Sequence, residues 1–402
     1  MIRAENAPAG LGDALAMTIG GWAEPPKPLS AAEQVVLAAG YAHFTAAQRD
    51  QFRALCVALP REEWRTVQSA ANAHNMANLL WSHLAQEELA EVVLPDRWED
   101  LRQGYQSRLL TQMRLAHTLR EALVACEAAH IRAMPLKGPT LGLRIYGAQG
   151  PRPSRDLDLF IDARVTQRRA YRVLAPLFAQ WEARQVRVEL AWALIHRPAY
   201  RSTLNPHAIW QRAVPATFRD IPCYQLAAGD ELRYLCAHHV VHHQASEWLW
   251  MVDIAELLGQ HAQAPAWDWP TFVAETIASE TALPVVLAFM QAQALLGAPV
   301  PPFVIAALAS AAQSKAEQGR WAAMTIPMPS VRGAVTLVRA AHSVGEITTI
   351  ARTLVWPDRT YLREYHDWVP GQRVAAARLR RLRHITRNVL PGPKIIIKGS
   401  DQ

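Results

Sequence analysis

Acidic and bulky apolar residues alternate from Asp156 to Ile161, and this short pattern constrains the fold more than any other stretch of the chain. Alternation with a period of two is typical of a half-buried β-strand, in which successive side chains point to opposite faces. Asp156 and Asp158 therefore share one face, whereas Leu157 and Leu159 point into a core. Two carboxylates held so close repel each other unless a cation lies between them. The pattern predicts a strand that binds a divalent metal, most simply Mg²⁺.

Residues suited to binding phosphate flank this strand in the sequence. Lys137 and Gly138 follow a short apolar run and offer a cation beside a backbone without a side chain, which phosphate oxygens can approach closely. Arg152, Ser154 and Arg155 come just before the acidic strand and add hydrogen-bond donors of the kind that bind phosphate. We expect these five residues to bind a nucleotide through its phosphates.

A third carboxylate comes from a second alternating run, which extends from Val186 to Leu190 and has Glu189 at an acidic position. If the two runs form neighbouring strands, Glu189 joins Asp156 and Asp158 around the metal ions. These three residues are the predicted catalytic residues and metal ligands.

The segments around the two acidic runs predict an α+β fold, in which a small mixed β-sheet core is flanked by helical regions on both sides in sequence. The expected order is a long helix at 109–130, a strand at 132–136, a short helix at 140–146, the Asp156 strand, a helix at 165–181 and the Glu189 strand. One or two further strands, at 208–215 and 221–226, are expected to complete the sheet. The predicted regions are a flexible leader at 1–28, a helical region at 29–108, the core at 109–228 and a second helical region at 229–402.

Composition indicates a globular protein with a mild preference for anionic ligands. Of the 402 residues, 50% are hydrophobic, and the net charge is +7 with an isoelectric point near 9.4. The four cysteines form no CxxC pair, which favours neither a disulfide framework nor a thiolate zinc site and fits a reducing cytoplasm. We expect no signal peptide, and we expect the apolar stretch at 281–314 to form two buried helices because Gln and Pro residues interrupt it.

Four histidines lie close together after residue 237: His238, His239, His242 and His243. The i,i+4 spacing of His238 with His242, and of His239 with His243, predicts two stripes on one helix. Such pairs can chelate zinc, but the HExxH pattern of metalloproteases is absent. Zinc ligation, contact with substrate or nucleotide, and a structural role stay open for this cluster. His238 and His242 are the candidate contacts, together with Asp253, for which a buried hydrogen-bonding role is an equal alternative.

A basic helix is expected at 373–387. Its arginines suit RNA or an anionic membrane surface, and a solvated helix face is the simpler interpretation.

The series LKG, YG, RPSRDLDLFI and VELAW resembles the uncharacterised nucleotidyltransferase family of the polymerase-beta type, whose members read roughly LKG, YG, RPxGDxDLLV and an acidic-Leu-His-Trp segment. LRYLCAHHVVHH, WLWMVDIAELL and WPDRTYLREYH are similar to later segments of that family, so that the resemblance extends in blocks over about 110–385. Two positions depart from the pattern. Arg155 stands in place of Gly, where it either crowds the triphosphate or adds a contact, and Ala191 stands in place of His.

The resemblance implies an enzyme that moves a nucleoside monophosphate from a nucleoside triphosphate, with ATP as the expected donor, to a hydroxyl group of an acceptor. Two Mg²⁺ ions would be held by Asp156, Asp158 and Glu189. The acceptor stays open among a small molecule, a sugar, a peptide natural product, a protein and a tRNA end. Two alternatives also stay open: a kinase that uses the same site for γ-phosphoryl transfer, and a non-catalytic nucleotide-binding protein.

Overall fold

The computed structural model describes residues 28–147, 152–325, 338, 344–356, 362 and 373–379. The chain forms two units, one of 1–195 with 203–313 and the other of 196–202 with 314–402.

Three predicted segments fall wholly or mostly outside the described residues. Only residue 28 of the leader is described, and only residues 356 and 362 of the WPDRTYLREYH segment. The basic helix predicted at 373–387 is described as far as residue 379, and residues 374–379 are helical.

Helices make up the first part of the first unit. They are α1 (Ala31–Ala38), α2 (Ala46–Ala58), α3 (Trp64–Ala73), α4 (Ala77–Gln86) and the long α5 (Pro95–Ala128). Short 3₁₀ turns at Arg61–Glu63 and Ala90–Val92 connect some of them. Ser30 and Glu33 form a capping box at the start of α1, in which each side chain accepts a hydrogen bond from the backbone N–H of the other. Helix α5 begins well before the 109–130 predicted, with Pro95 in its first turn.

A three-stranded mixed sheet lies after α5, and its elements follow the predicted order. They are β1 (Ala133–Pro135), α6 (Pro139–Tyr146), β2 (Asp156–Ile161), α7 (Gln167–Ala183) and β3 (Arg187–Ala191). The strand order is β1-β2-β3, with β1 antiparallel and β3 parallel to β2. The α+β prediction is confirmed, because helices precede and follow a small mixed sheet.

The strand predicted at 221–226 is confirmed, but the prediction that one or two more strands complete this sheet is wrong. Residues 206–212 form a helix, α8 (Pro206–Arg212), because the Asn205 side chain caps its start and Pro206 is preorganised for a first helical position. The following strands β4 (Val214–Phe218) and β5 (Ile221–Gln225) pair with each other in a separate antiparallel hairpin.

Helices fill the rest of the first unit. They are α9 (Ala228–Ala237), a π-helical turn at His238–His242, α10 (Trp248–Gln263), α11 (Trp269–Ala278), α12 (Ala282–Leu296) and α13 (Pro302–Ala312). The two helices predicted for the apolar stretch are α12 and α13, which Gly297 separates with a left-handed φ of 65°. Within the described ranges, every helix is either too short or too polar to span a lipid bilayer.

The second unit contains a 3₁₀ turn at Pro198–Tyr200 and the helices α14 (Lys315–Thr325) and α15 (Val344–Val355). Arg320 of α14 is buried and donates a 2.8 Å hydrogen bond to the carbonyl of Ala199 in the 3₁₀ turn. This bond ties the short segment 196–202 to the helices that follow residue 313.

The core of the sheet region lies between α5, the strands and α7. Leu157 and Leu159 of β2 are 3% and 1% exposed, as their alternation with the acidic residues predicts. They pack in one cluster with Leu119 and Leu123 of α5 and with Trp181 of α7. One face of β2 is thus fixed against the core, which leaves the acidic face for chemistry.

We expect Leu159→Ala to lower the free energy of unfolding by about 2–5 kcal/mol, because it leaves a cavity in this core. The matched control is Leu110→Ala on α5, where the side chain is 55% exposed and the change should stay within about 0.5 kcal/mol. Denaturant unfolding of the two variants measures both values. Equal losses would show that β2 does not anchor the core.

Candidate active site

The three predicted carboxylates lie on one face of the mixed sheet. Asp158 of β2 pairs directly with Glu189 of the parallel neighbour β3, so their side chains point to the same side. Asp156 is two residues from Asp158 and shares that face. Their side chains are 32%, 12% and 10% exposed for Asp156, Asp158 and Glu189 respectively. The prediction that the two acidic runs form neighbouring strands is confirmed.

Lys137 supplies the positive charge that faces the two aspartates. Its Nζ lies 2.8 Å from Oδ2 of Asp158 and 3.9 Å from Oδ1 of Asp156, and its side chain is 11% exposed. Burial by itself lowers the pKa of Lys137, but the attraction of Asp158 and Asp156 outweighs it and raises the pKa above its usual range. Lys137 is therefore an ammonium ion that reduces the repulsion between the two aspartates.

The turn that places Lys137 depends on the glycine that follows it. Gly138 has φ 72° and ψ −132° at the start of α6, in a region that residues with a Cβ rarely adopt. A Cβ at this position would lie 3.6 Å from the carbonyl oxygen of Asp156 and from Oγ of Ser154. The backbone at Gly138 thus approaches the acidic strand closely, as the sequence led us to expect.

Arg152, one of the predicted phosphate ligands, is held by a buried carboxylate. Its Nη2 and Nε lie 2.7 and 2.9 Å from Oδ2 of Asp253, and the two side chains are 2% and 0% exposed. Tyr146 donates a 2.9 Å hydrogen bond to Oδ1 of the same carboxylate. Burial alone lowers the pKa of Arg152, whereas its pairing with Asp253 raises it, and the net pKa is raised. Asp253 therefore accepts hydrogen bonds from two buried side chains, as its predicted hydrogen-bonding role requires.

The remaining loop residues before β2 bond to neighbouring elements. Ser154 accepts a 3.1 Å hydrogen bond at Oγ from Nη1 of Arg152, and its carbonyl accepts one of 2.9 Å from Gln112 of α5. Arg155, which is exposed, donates a 2.8 Å hydrogen bond to Oδ1 of Asn75 between α3 and α4. The loop is thus fastened at three points beside the acidic strand.

The π-helical turn changes which histidines meet. In a π-helix the backbone bonds run from i to i+5, and His243 N–H donates to the carbonyl of His238. Nε2 of His238 consequently lies 3.2 Å from Nε2 of His243. The predicted i,i+4 pairing is confirmed for His238 and His242, whose rings are neighbours, but the prediction did not include the i,i+5 contact of His238 with His243.

The other two histidines of the cluster have different surroundings. His239 is buried and lies 2.7 Å from Oε1 of Gln291, and burial lowers its pKa to about 4. It is a structural histidine. The ring of His242 lies 4.9 Å from the ring of His238, measured between centroids.

His238 connects the histidine cluster to Lys137. Its Nε2 lies 3.4 Å from Nζ of Lys137, and its ring packs edge-on against Trp250 with 4.7 Å between centroids. On the other side, Nδ1 of His243 lies 3.1 Å from Oε1 of Glu247. The hydrogen bond from His243 lowers the pKa of Glu247 to about 2, against the effect of burial. A continuous polar chain therefore leads from Asp158 through Lys137 and both histidines to Glu247.

Sequence reasoning missed two members of this chain, Glu247 and His243 as a partner of His238, and it also missed the contact of Trp250 with His238. Glu247 stands four residues after His243, and that i,i+4 spacing of an acid and a histidine was a signal for the pair. The contact of His243 with His238 had no sequence signal, because a single π turn cannot be distinguished from α-helix in the sequence.

The donor set fits a hard divalent cation, since three carboxylates supply the oxygen ligands that Mg²⁺ prefers. In this structure the carboxylates face cationic side chains: Asp156 and Asp158 face Lys137, and Glu189 forms an ion pair with Arg187. Among the residues that the structure describes, no group of three His, Cys, Asp or Glu side chains is close enough to hold a metal ion. Metal binding therefore requires Lys137 and Arg187 to release these oxygens.

The family model described as an uncharacterised nucleotidyltransferase matches residues 60–297, which is more than half of the 402-residue chain. The chain belongs to this family. Nucleotidyltransferases generally use a nucleoside triphosphate and a divalent metal ion. No match was found among curated proteins or among solved structures.

The span matched by the nucleotidyltransferase family contains all the site residues described above, from Asn75 to Asp253. This span begins at residue 60, before the sequence resemblance begins at about residue 110. It ends at residue 297, before the WPDRTYLREYH segment. The helices α3 to α5 are therefore part of the family's shared region, together with the sheet.

We expect Asp253→Asn to lower the free energy of unfolding by about 3–5 kcal/mol, because it leaves the guanidinium of Arg152 buried without a countercharge. The matched control is Glu99→Gln, which removes an exposed ion pair with Arg102 and should have little effect on stability. Chemical denaturation monitored by circular dichroism measures both changes. If Asp253→Asn is as mild as the control, the pair does not hold the loop.

Proposed function

We propose that this protein is an Mg²⁺-dependent nucleotidyltransferase that moves a nucleoside monophosphate from ATP to a hydroxyl group of an acceptor. The observation that supports this most is the direct pairing of Asp158 with Glu189 across β2 and β3, with Asp156 on the same face. Family membership supports the proposed reaction class, and the carboxylate face with the adjacent Lys137-Gly138 turn supports the proposed location of the reaction.

The reaction would join the acceptor oxygen to the α-phosphorus and break the bond from that phosphorus to the oxygen that bridges it to the β-phosphorus. Pyrophosphate leaves with the bonding electrons, and the proton of the hydroxyl passes to a carboxylate or to solvent. Mg²⁺ held by Asp156, Asp158 and Glu189 would neutralise charge on the triphosphate and stabilise the attacking and leaving oxygens.

The residues of the chain have separate parts in this proposal. Lys137, an ammonium ion close to the carboxylates, would neutralise the charge that grows on the leaving pyrophosphate. Gly138 would allow phosphate oxygens to approach the backbone, and Ser154 and Arg155 would donate hydrogen bonds from the loop before β2. Arg152 would act mainly by holding this loop through Asp253.

Glu189 has two roles consistent with its position. It would complete the metal site from β3, or it would accept the proton of the attacking hydroxyl. Its direct pairing with Asp158 across β2 and β3 favours the first role, because it places the two carboxylates on one face of the sheet.

The test uses ATP labelled at either the α- or the γ-phosphorus, incubated with Mg²⁺, the full chain and a panel of acceptors that includes peptides, tRNA and small hydroxyl compounds. We expect α-label on an acceptor. The double variant Asp156→Ala with Asp158→Ala should lose transfer by at least about a hundredfold, because metal binding contributes several kcal/mol to the transition state.

The matched control is Asp96→Ala with Asp100→Ala, which removes the same charges from exposed positions on α5 and should retain full transfer. Unchanged transfer in the Asp156/Asp158 double variant would reject the site. Label transferred only from the γ-phosphorus would show a kinase, and tight ATP binding without transfer would show a non-catalytic nucleotide-binding protein.

A further inference from the structure

The ammonium of Lys137 has two kinds of neighbour in this structure. On one side are the carboxylates of Asp158 and Asp156, at 2.8 and 3.9 Å. On the other side are two aromatic rings: that of His238, whose Nε2 is at 3.4 Å, and that of Trp250, whose centroid is 5.1 Å from Nζ. Lys137 thus lies between the proposed metal ligands and a second, aromatic cradle.

A divalent cation on the carboxylates competes with Lys137 for the same oxygens. The two positive charges also repel each other, and at low exposure this repulsion is only weakly screened. Lys137 therefore has to turn away from Asp158 when the carboxylates bind a cation. A buried ammonium without a partner is costly, so the turn requires another acceptor within reach.

His238 and Trp250 are such acceptors. An ammonium group only donates hydrogen bonds, so its contact with Nε2 of His238 uses the lone pair of that nitrogen. The face of an indole ring also attracts a cation, and Trp250 is a partner of this kind. The aromatic cradle can therefore hold Lys137 beside the site without using a carboxylate.

The ring of His238 is itself held in place. His243 lies 3.2 Å from its Nε2, and Glu247 fixes the opposite nitrogen of His243 at 3.1 Å. Glu247 is fixed in turn by Nδ2 of Asn75 at 2.5 Å. An imidazole nitrogen makes one hydrogen bond, so Lys137 at 3.4 Å and His243 at 3.2 Å compete for Nε2 of His238. His243 gives this nitrogen a partner while Lys137 is on Asp158.

We propose that His238 is a positioning residue that receives the ammonium of Lys137 when a divalent cation binds Asp156 and Asp158. Lys137 then stays beside the triphosphate instead of competing for the metal ligands. His243 and Glu247 orient His238 for this exchange. This inference rests on the proposed function, because it assumes that the two aspartates bind a divalent cation.

The experiment is a double-mutant cycle that measures Mn²⁺ binding to the full chain. Binding is detected as a decrease in the electron paramagnetic resonance signal of free Mn²⁺. The variants are His238→Leu, which has no acceptor, and His238→Gln, which keeps one. Each is made with Lys137 present and in the Lys137→Met background. Thermal unfolding monitors the fold of every variant.

With Lys137 present, we expect His238→Leu to weaken Mn²⁺ binding by about three- to tenfold, a coupling typical of residues in contact. His238→Gln should recover part of that loss, because its oxygen accepts a hydrogen bond from the ammonium. In the Lys137→Met background neither His238 variant should change Mn²⁺ binding, since no ammonium remains to be moved.

Equal weakening by His238→Leu in both backgrounds would overturn the inference, because His238 would then act on the metal or on the fold independently of Lys137. If His238→Leu does not fold, His238→Gln is compared in the two backgrounds instead. A loss of Mn²⁺ binding by His238→Gln that is equal with and without Lys137 would also overturn the inference.

Failure of the proposed function gives a different result. The wild-type chain would bind no Mn²⁺, or it would bind as well after Asp156→Ala with Asp158→Ala, and both proposals would be rejected.

Discussion

The repulsion between carboxylates on one sheet face is the constraint on which the site depends. Asp156, Asp158 and Glu189 lie together because β2 and β3 are parallel neighbours in a fixed register. Such a face is stable only with positive charge opposite it, and Lys137 supplies that charge at 2.8 Å from Asp158. The turn at Gly138 positions Lys137 beside Asp158. The balance of charge on the strand face therefore depends on the conformation of this turn.

A second electrostatic interaction fixes the loop that leads into the acidic strand. The buried pair of Arg152 and Asp253 joins the loop before β2 to the middle of α10, and Tyr146 adds a hydrogen bond from the end of α6. Three separate elements therefore meet at one carboxylate. Since Arg152 also contacts Ser154, the position of the proposed phosphate-binding loop depends on a helix that is distant in sequence. Arg155, which stands where the family has Gly, also attaches the loop to a distant element. It donates a hydrogen bond to Asn75 and so connects the loop to the N-terminal helices.

Prediction from sequence succeeded where the signal was local. The alternation at Asp156 to Ile161, the following amphipathic helix and the Glu189 strand were all found, since each depends on side chains a few residues apart. The segment at 208–215 was misassigned because Asn205 and Pro206 make a helix start that outweighs its apolar content. In the histidine cluster the i,i+4 pair of His238 and His242 was found, but the contact of His238 with His243 was missed because it depends on the π turn.

By itself, the sequence determined that two aspartates share one face of a strand and that a lysine and a glycine precede them. A period of two allows no other arrangement once the alternating leucines are buried. Only the tertiary structure decided which groups surround that face. Three contacts join residues that are remote in the chain. They are the pairing of β3 with β2, the ion pair of Arg152 with Asp253 and the contact of Lys137 with His238. Such contacts follow from the packing of helices around the sheet, which no local pattern encodes.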